Sequence, residues 1–121
     1  MELAFYKYQG TGNDFVIIDN RKHGWQLNKE QIAFLCNRRK GIGADGLMLL
    51  ETSTVADFKM VYYNADGAES TMCGNGGRCM VSFAKELQLT EDNSTQFEAI
   101  DGLHEAKIMP NGIVVLHMQD V

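Results

Sequence analysis

Short strand-like segments separated by tight-turn signals are the feature of this sequence that most limits its fold. The segments are apolar or alternate between apolar and polar residues, and they cover residues 3–8, 14–19, 47–51, 57–64, 95–100, 103–109 and 113–119. The last three are separated by Asp101-Gly102 and Pro110-Asn111-Gly112, which are typical of hairpins. Strands joined by such turns pair antiparallel, so the sequence predicts a mostly antiparallel sheet.

Two segments have helical periodicity instead. The first begins with Asn28 as the N-cap and Gln31 at the third helical position of a capping box, and it should end by Gly41. The second follows a glycine-rich stretch, and its apolar residues recur at helical spacing: Met80, Phe83, Ala84 and Leu87. Strands interrupted by two helices predict an α+β fold, and with one proline and no Gly/Ser tract we expect a single domain over residues 1–121.

Composition and charge exclude several classes of protein. A net charge of −5 argues against a nucleic-acid partner, which needs clustered basic residues. The one basic cluster, residues 38–40, is interpreted as a favourable partner of the helix dipole at the end of the first helix. No apolar run approaches the roughly 18–20 residues that cross a membrane, and the first ten residues do not resemble a secretory signal. We therefore expect a soluble cytoplasmic protein whose three cysteines are reduced thiols.

Two further patterns do not indicate a cofactor or a metal. Residues 41–46 match the dinucleotide-binding pattern G-x-G-x-x-G, but that pattern follows a strand and precedes a helix, and here the order is reversed. It is interpreted as a connection whose glycines need positive φ. His104 and His117 could face each other across the last hairpin, but two imidazoles without a third ligand are typical of a surface. The spacing of Cys73 and Cys79 is too wide for structural zinc, so no metal is expected.

The densest chemistry lies in residues 72–79, which read MCGNGGRC. Cys73 stands just before the second helix, where backbone N–H groups and the helix dipole stabilise a thiolate. The glycines that follow let a ligand approach the backbone, so the same turn suits a carboxylate or a phosphate. A thiolate beside an anion site can act in nucleophilic attack or in proton abstraction. The alternative for Cys73 is a buried cysteine that packs against the start of the helix. For Cys36 and Cys79, which lie within the helical patterns, we predict core positions.

Ordered blocks of the sequence resemble the signatures of diaminopimelate epimerases. They are FYKYQGTGNDFVIID at residues 5–19, GIGADGLMLLE at 41–51, and YYNADGAES at 62–70 followed by MCGNGGRC. The resemblance implies a cofactor-independent enzyme that interconverts LL- and meso-diaminopimelate, for lysine and peptidoglycan, by proton transfer between two cysteines. It also implies one lobe of a two-lobed α+β fold, in which a mixed, mostly antiparallel, barrel-like sheet wraps around a central helix.

The resemblance assigns roles to individual residues by position. Cys73 matches one of the two acid/base thiols. Gly74 and Asn75 match residues whose backbone N–H groups hold the substrate carboxylate, and Asn13 and Asn64 match asparagines that hold the substrate. These assignments suit the chemistry, because an α-proton is weakly acidic and its removal needs preorganised dipoles near the developing negative charge. No cofactor is expected, and the partner is a small amino acid.

The chain departs from the family pattern in two ways. Gly46 stands where some members have a glutamine, so a side-chain contact is absent at that position. Only the first lobe is present up to Val121, and the second cysteine motif is missing. Neither Cys36 nor Cys79 is a good substitute, since both lie in helices. We therefore expect the C-terminal lobe to be absent from this chain and the chain alone to be inactive.

Three alternatives stay open at this point. A proline racemase or hydroxyproline epimerase of the same fold also uses paired cysteines, although GTGND and CGNGGRC favour diaminopimelate epimerase. A non-catalytic half domain that binds an amino acid by its carboxylate belongs to a different class, and the presence of Cys73 argues against it. Two copies of the chain that pair their Cys73 residues would form a homodimer, which the oligomeric state would test. A structural zinc or redox domain disagrees with the cysteine spacing.

Overall fold

The computed structural model describes residues 4–10, 12–22, 24–71, 74–90 and 93–117. The strands are β1 (Tyr6–Gln9), β2 (Asp14–Asp19), β3 (Gly46–Glu51), β4 (Phe58–Asn64), β5 (Glu69–Ser70), β6 (Ser94–Ala99), β7 (Gly102–Ile108) and β8 (Val114–His117). The helices are α1 (Lys29–Cys36) and α2 (Gly74–Glu86), and neither is long and apolar enough to cross a membrane. The predicted α+β class is confirmed, and β5 is an addition that the sequence did not indicate.

The eight strands form one mixed sheet. Their order is β1-β2-β3-β4-β6-β7-β8, with β5 paired to β4. Neighbours joined by short connections are antiparallel, as in β1/β2, β3/β4, β6/β7 and β7/β8. The pairs β2/β3 and β4/β6 are parallel, because a connection that contains a helix returns the chain to the same end of the sheet. The prediction of a mixed, mostly antiparallel sheet is therefore confirmed.

Both faces of the sheet are covered by apolar packing. The inner face and α2 share one core: Phe15, Ile17, Met48, Leu50, Phe58, Met60 and Phe97 of the strands, with Met80, Phe83 and Ala84 of the helix. The outer face and α1 share a second core: Val16, Ile18, Leu47 and Leu49 of the strands, with Ile32 and Cys36 of the helix. Helix α2 contacts β2, β3 and β8, which lie toward opposite ends of the strand order. The sheet must therefore curl around α2, in agreement with the expected barrel-like lobe.

Helix α1 begins and ends for local reasons. The Asn28 side chain accepts the backbone N–H of Gln31 (2.7 Å), and the Gln31 side chain accepts that of Asn28 (2.9 Å), which confirms the capping box. After the helix, a Cβ on Gly41 would lie 2.0 Å from the carbonyl oxygen of Phe34, so only glycine fits. Gly43 has a φ of +84°, as predicted for this connection, but the prediction of positive φ is wrong for Gly41 and Gly46. The chain can therefore turn directly from α1 into β3.

The interpretation of the basic cluster, residues 38–40, is wrong for Arg38. Helix α1 ends before the cluster, and the Asn37 side chain accepts the two backbone N–H groups that follow Arg38 (2.9 and 3.0 Å). The Arg38 guanidinium binds the carboxylates of Asp14 and Asp45 instead of interacting with the helix end. Its partners come from the starts of two strands, which local sequence patterns do not bring together.

The register of the last hairpin does not place its two histidines opposite each other. His104 is only 2% exposed, and its Nε2 lies 2.8 Å from Oδ1 of Asp101, so the surface position is wrong for this residue. In the register of β7 and β8, His117 is opposite Glu105 rather than His104. In the part of the chain that the structure describes, no three His, Cys, Asp or Glu side chains are grouped as metal ligands.

Candidate functional site

The predicted substrate-binding residues lie at one edge of the sheet. Asn13 directly precedes β2, and Asn64 is the last residue of β4. The cross-strand pairs Phe15↔Gly46 and Gly46↔Asn64 align the start of β2 and β3 with the end of β4. Side chains at these paired positions share the inner face, which also packs against α2. The curled sheet therefore gathers separate sequence blocks into one place.

Asn13 contacts the first turn of α2 through Asn75. The Nδ2 group of Asn75 donates to Oδ1 of Asn13 (2.8 Å), and the Nδ2 group of Asn13 donates to Oδ2 of Asp45 (3.3 Å). The Arg78 guanidinium donates to Oδ1 of Asn75. A Cβ on Gly10 would lie 3.1 Å from Cβ of Asn75, so glycine allows the β1–β2 turn to approach the helix this closely. Two residues from separate sequence blocks are thus in direct contact, and each amide is oriented by a further partner.

Asn64 shares the edge with this pair but lies farther along it. Strands β2 and β4 are separated by β3, which places them about 10 Å apart. The Asn64 carbonyl accepts the N–H of Gly67, and its N–H donates to the carbonyl of Ala68 (both 2.9 Å), so a tight turn fixes its backbone. Beside it, a Cβ on Gly46 would lie 3.0 Å from the Tyr62 hydroxyl. The Tyr62 phenol therefore occupies the space that a side chain at position 46 would need, where the sequence predicts only the loss of a glutamine contact.

The first turn of α2 has the general features that favour an anion. Gly74 is the first helical residue, and the first turn contains no acidic side chain. A helix start presents backbone N–H groups and the positive end of the dipole, which favour a carboxylate. Cys73 is bonded to Gly74 in the sequence, but Cys73 lies outside the residues that the structure describes. Its role as an acid/base thiol stays a prediction.

The two other cysteines are core residues, as predicted. Cys36 is 3% exposed and belongs to the outer core, on the face of the sheet opposite α2. Burial raises the pKa of its thiol, which keeps it protonated. Cys79 is 6% exposed and belongs to the inner core. Neither position suits a group that exchanges protons with a substrate.

A charged cluster lies directly behind Asn13. The Arg38 guanidinium donates two hydrogen bonds to the carboxylate of Asp14 (2.9 and 3.0 Å), and Lys7 lies 3.2 Å from the same carboxylate. Arg38 also donates to Oδ1 of Asp45 (3.2 Å). Arg38, followed by Lys7 and the Asp45 N–H, holds the pKa of the Asp14 carboxyl well below its usual range, although partial burial opposes this. The Asp14 carboxyl is therefore ionised at neutral pH.

Sequence reasoning missed this cluster. Asp14 and Asp45 each follow a glycine-containing turn and each stand at the start of a buried strand, which is the only signal in the sequence. This pattern predicts a charged cluster only when β2 and β3 are known to be parallel neighbours, because both carboxylates then lie at the same edge of the sheet. Arg38 reaches them from the loop after α1.

Acid should weaken the fold through Asp14. Its folded pKa lies below the value in an unfolded chain, so its stabilisation is present above the ordinary aspartate pKa and is lost as the pH falls toward the folded pKa. We expect the free energy of unfolding, measured in urea, to decrease between about pH 5 and pH 2 more steeply in the unsubstituted chain than in Asp14→Asn. Equal slopes would show that the partners of Asp14 do not hold it ionised.

The cavity at this edge is small. Its volume is about 270 Å³, and it is lined by Gln9, Gly10, Gly12, Asn13, Asp14, Arg38 and Asp45. Two larger cavities, of about 540 and 470 Å³, are bordered by other parts of the sheet and by none of the predicted site residues that the structure describes. Pockets for small molecules usually enclose about 300–1,000 Å³. The described residues at this edge thus border a small, open cavity rather than a closed pocket of that size.

Comparison with known proteins gives a consistent result. A sequence profile of the family described as Diaminopimelate epimerase matches residues 5–121. A protein of Flavobacterium psychrophilum named diaminopimelate epimerase is 59% identical over 120 residues, and the alignment covers 98% of this chain. The same alignment covers 46% of that protein, so the chain spans about half the length of the curated relative.

Solved structures share the fold at low sequence identity. A Bacillus anthracis phenazine biosynthesis protein of the PhzF family has a TM-score of 0.71 at 22% identity, over 96% of this chain and 40% of that protein. A hydroxyproline epimerase from Agrobacterium vitis, solved with bound trans-4-hydroxy-L-proline, has a TM-score of 0.69 at 13% identity, over 94% of this chain and 40% of that protein. At such identities the likeness concerns the fold alone, and it agrees with the curled sheet around α2.

Proposed function

Since the chain belongs to the diaminopimelate epimerase family, we propose that the full-length protein interconverts LL- and meso-diaminopimelate. The observation that supports this reaction best is the contact between Asn13 and Asn75 at the start of α2, directly after Cys73. It places two neutral amides beside the part of the molecule that favours a carboxylate. An amino acid bound there by its α-carboxylate would have its α-carbon next to the residue that precedes the helix.

Cys73 is the base, or the conjugate acid, on one face of the substrate. As a thiolate it takes the α-proton, while a thiol on the opposite face delivers a proton to the same carbon. The two cysteines exchange protonation states, and the configuration inverts with no change in composition. The helix start stabilises both the thiolate and the negative charge that develops on the substrate carboxylate. No cofactor takes part in this scheme.

The second thiol belongs to a C-terminal lobe that this chain does not contain. In this proposal, residues 1–121 form the N-terminal lobe, a single domain. Two observations support this division. The chain covers 46% of a relative that is 59% identical to it, and the described part of the site offers only about 270 Å³. A second lobe would close the site and exclude water, which strengthens the dipoles that stabilise the carbanion.

The binding partner and the cellular location are part of the same proposal. The partner is the small amino-acid substrate, used for lysine and peptidoglycan, and neither a nucleic acid nor a membrane takes part. The expected location is the cytoplasm. A homodimer that pairs two copies of Cys73 is the alternative source of a second thiol. A hydroxyproline substrate is not favoured, because the likeness to hydroxyproline epimerase rests on 13% identity and concerns only the fold.

The test follows deuterium entry at the α-carbon. Full-length protein and the 121-residue chain are each incubated with LL-diaminopimelate in D₂O, and NMR records the α-proton signal and the meso isomer. We expect exchange and epimerisation with the full-length protein and neither with the chain, whose folding is checked by circular dichroism. Full-length protein that exchanges trans-4-hydroxy-L-proline but not diaminopimelate would overturn the substrate. An active isolated chain would overturn the two-lobe site and, if the chain is dimeric, favour paired copies.

A further inference from the structure

Four charged side chains behind Asn13 are not used by the proposed reaction. Lys7, Asp14, Arg38 and Asp45 come from β1, from the start of β2, from the loop after α1, and from the residue before β3. Substrate contacts were predicted for Asn13 but not for these four residues. Their connection to Asn13 suggests a different kind of contribution.

The two aspartates form a reciprocal clasp. The backbone N–H of Asp14 donates to Oδ2 of Asp45 (3.1 Å), and the backbone N–H of Asp45 donates to Oδ1 of Asp14 (3.0 Å). Arg38 closes the clasp from outside, with two parallel hydrogen bonds to Asp14 and one to Asp45. A two-point contact fixes the plane of a carboxylate, which a single point charge does not do. The side chain of Asp14 is 13% exposed, so this geometry is held within the protein.

The clasp also determines which way the Asn13 amide points. Oδ2 of Asp45 accepts from Nδ2 of Asn13, and this leaves Oδ1 of Asn13 facing Nδ2 of Asn75. Turning the amide by half a rotation would place oxygen against carboxylate on one side and N–H against N–H on the other. Both hydrogen bonds would be lost, so Asp45 selects one orientation.

We propose that Arg38 is a positioning residue, which fixes the Asn13 amide against the start of α2 through the clasp of Asp14 and Asp45. The proposal rests on the function proposed above, in which Asn13 holds the substrate. The Arg38 side chain is 58% exposed, so solvent screens its ion pairs and limits their contribution to stability. Lys7 also remains beside Asp14 when Arg38 is removed, so the carboxylate keeps a cation. The main consequence of losing Arg38 is therefore a disordered amide and weaker substrate binding.

The test compares two neighbouring arginines in the full-length protein. For Arg38→Met we expect kcat/KM to fall about tenfold, mainly through a higher KM, because the effect is that of one oriented hydrogen bond. Arg38→Lys keeps the charge but not the two-point contact, so its kcat/KM should be almost as low as that of Arg38→Met. Arg39→Met is the matched control, since Arg39 is exposed and its loss removes the same charge from the same loop. Equal losses in Arg38→Met and Arg39→Met would overturn the proposal.

A double variant separates positioning from stability. If Arg38 acts through Asn13, then Arg38→Met should add little to the loss already caused by Asn13→Ala. Additive losses, or a lower unfolding temperature with unchanged kcat and KM, would overturn the positioning role. The side-chain amide signals of Asn13 and Asn75 give a readout without substrate, and Arg38→Met should shift both, whereas Arg39→Met should not. If Arg38→Met left both signals unshifted, the positioning role of the clasp would be overturned. If the unsubstituted protein lacked epimerase activity, only the proposed function would be overturned, because the amide signals test the clasp without substrate.

Discussion

Replacing Cys73 with alanine in the full-length protein is expected to lower the rate of epimerisation by about 10²–10⁴-fold, the usual contribution of a positioned acid or base. Neither Asp14 nor the two neighbouring amides can replace the thiol. Asp14 is held ionised by Arg38, and Asn13 and Asn75 are amides without a useful pKa. The rate is measured by NMR as the conversion of the LL to the meso isomer.

Proton exchange gives this variant a second, more specific result. Each face of the substrate has its own acid or base, so Cys73→Ala should lose deuterium exchange for the isomer whose α-proton faces position 73. Cys36→Ala is the matched control, because Cys36 is buried on the opposite face of the sheet. It should keep its activity while losing some stability, since a buried side chain is truncated. Equal losses of activity in both variants would contradict the role of Cys73.

Much of the fold is predictable because its determinants are local. The capping box of Asn28 and Gln31 and the turns at Asp101-Gly102 and Pro110-Asn111-Gly112 need only neighbouring residues. The apolar periodicity predicts which face of α2 is buried, and this prediction agrees with the inner core. Short strand patterns therefore predict the element order and the fold class.

The parts that sequence patterns miss depend on long-range pairing. Arg38 looks like a helix-end residue until the parallel register of β2 and β3 places Asp14 beside Asp45. His104 looks like a surface residue, but the alternation of β7 turns it toward the inner core, where it stacks on Phe97. The positions of the substrate residues came from the resemblance, whereas the orientation of the Asn13 amide needed the three-dimensional structure.

Substituting Gly67 with alanine should destabilise the chain by about 3 kcal/mol or more, the scale of enforced backbone strain. Gly67 has a φ of +91°, and a Cβ there would lie 2.2 Å from the backbone oxygen of Lys29, the first residue of α1. A backbone atom at that distance cannot turn aside as a flexible side chain can. The turn and α1 must separate, and Asn64 must move with them because its carbonyl accepts the Gly67 N–H. Urea denaturation measures the loss of stability.

Gly112→Ala is the matched control for Gly67→Ala. Gly112 has a φ of +86°, but no heavy atom lies within 4 Å of the place where a Cβ would stand, so alanine there adds only the conformational strain of about 1–2 kcal/mol. The difference between the two variants isolates the contact with Lys29. In the full-length protein, Gly67→Ala should also raise KM through Asn64, whereas Gly112→Ala should leave KM unchanged. Equal destabilisation by both variants would mean that α1 yields to the added methyl group, and an unchanged KM would mean that Asn64 does not depend on this turn.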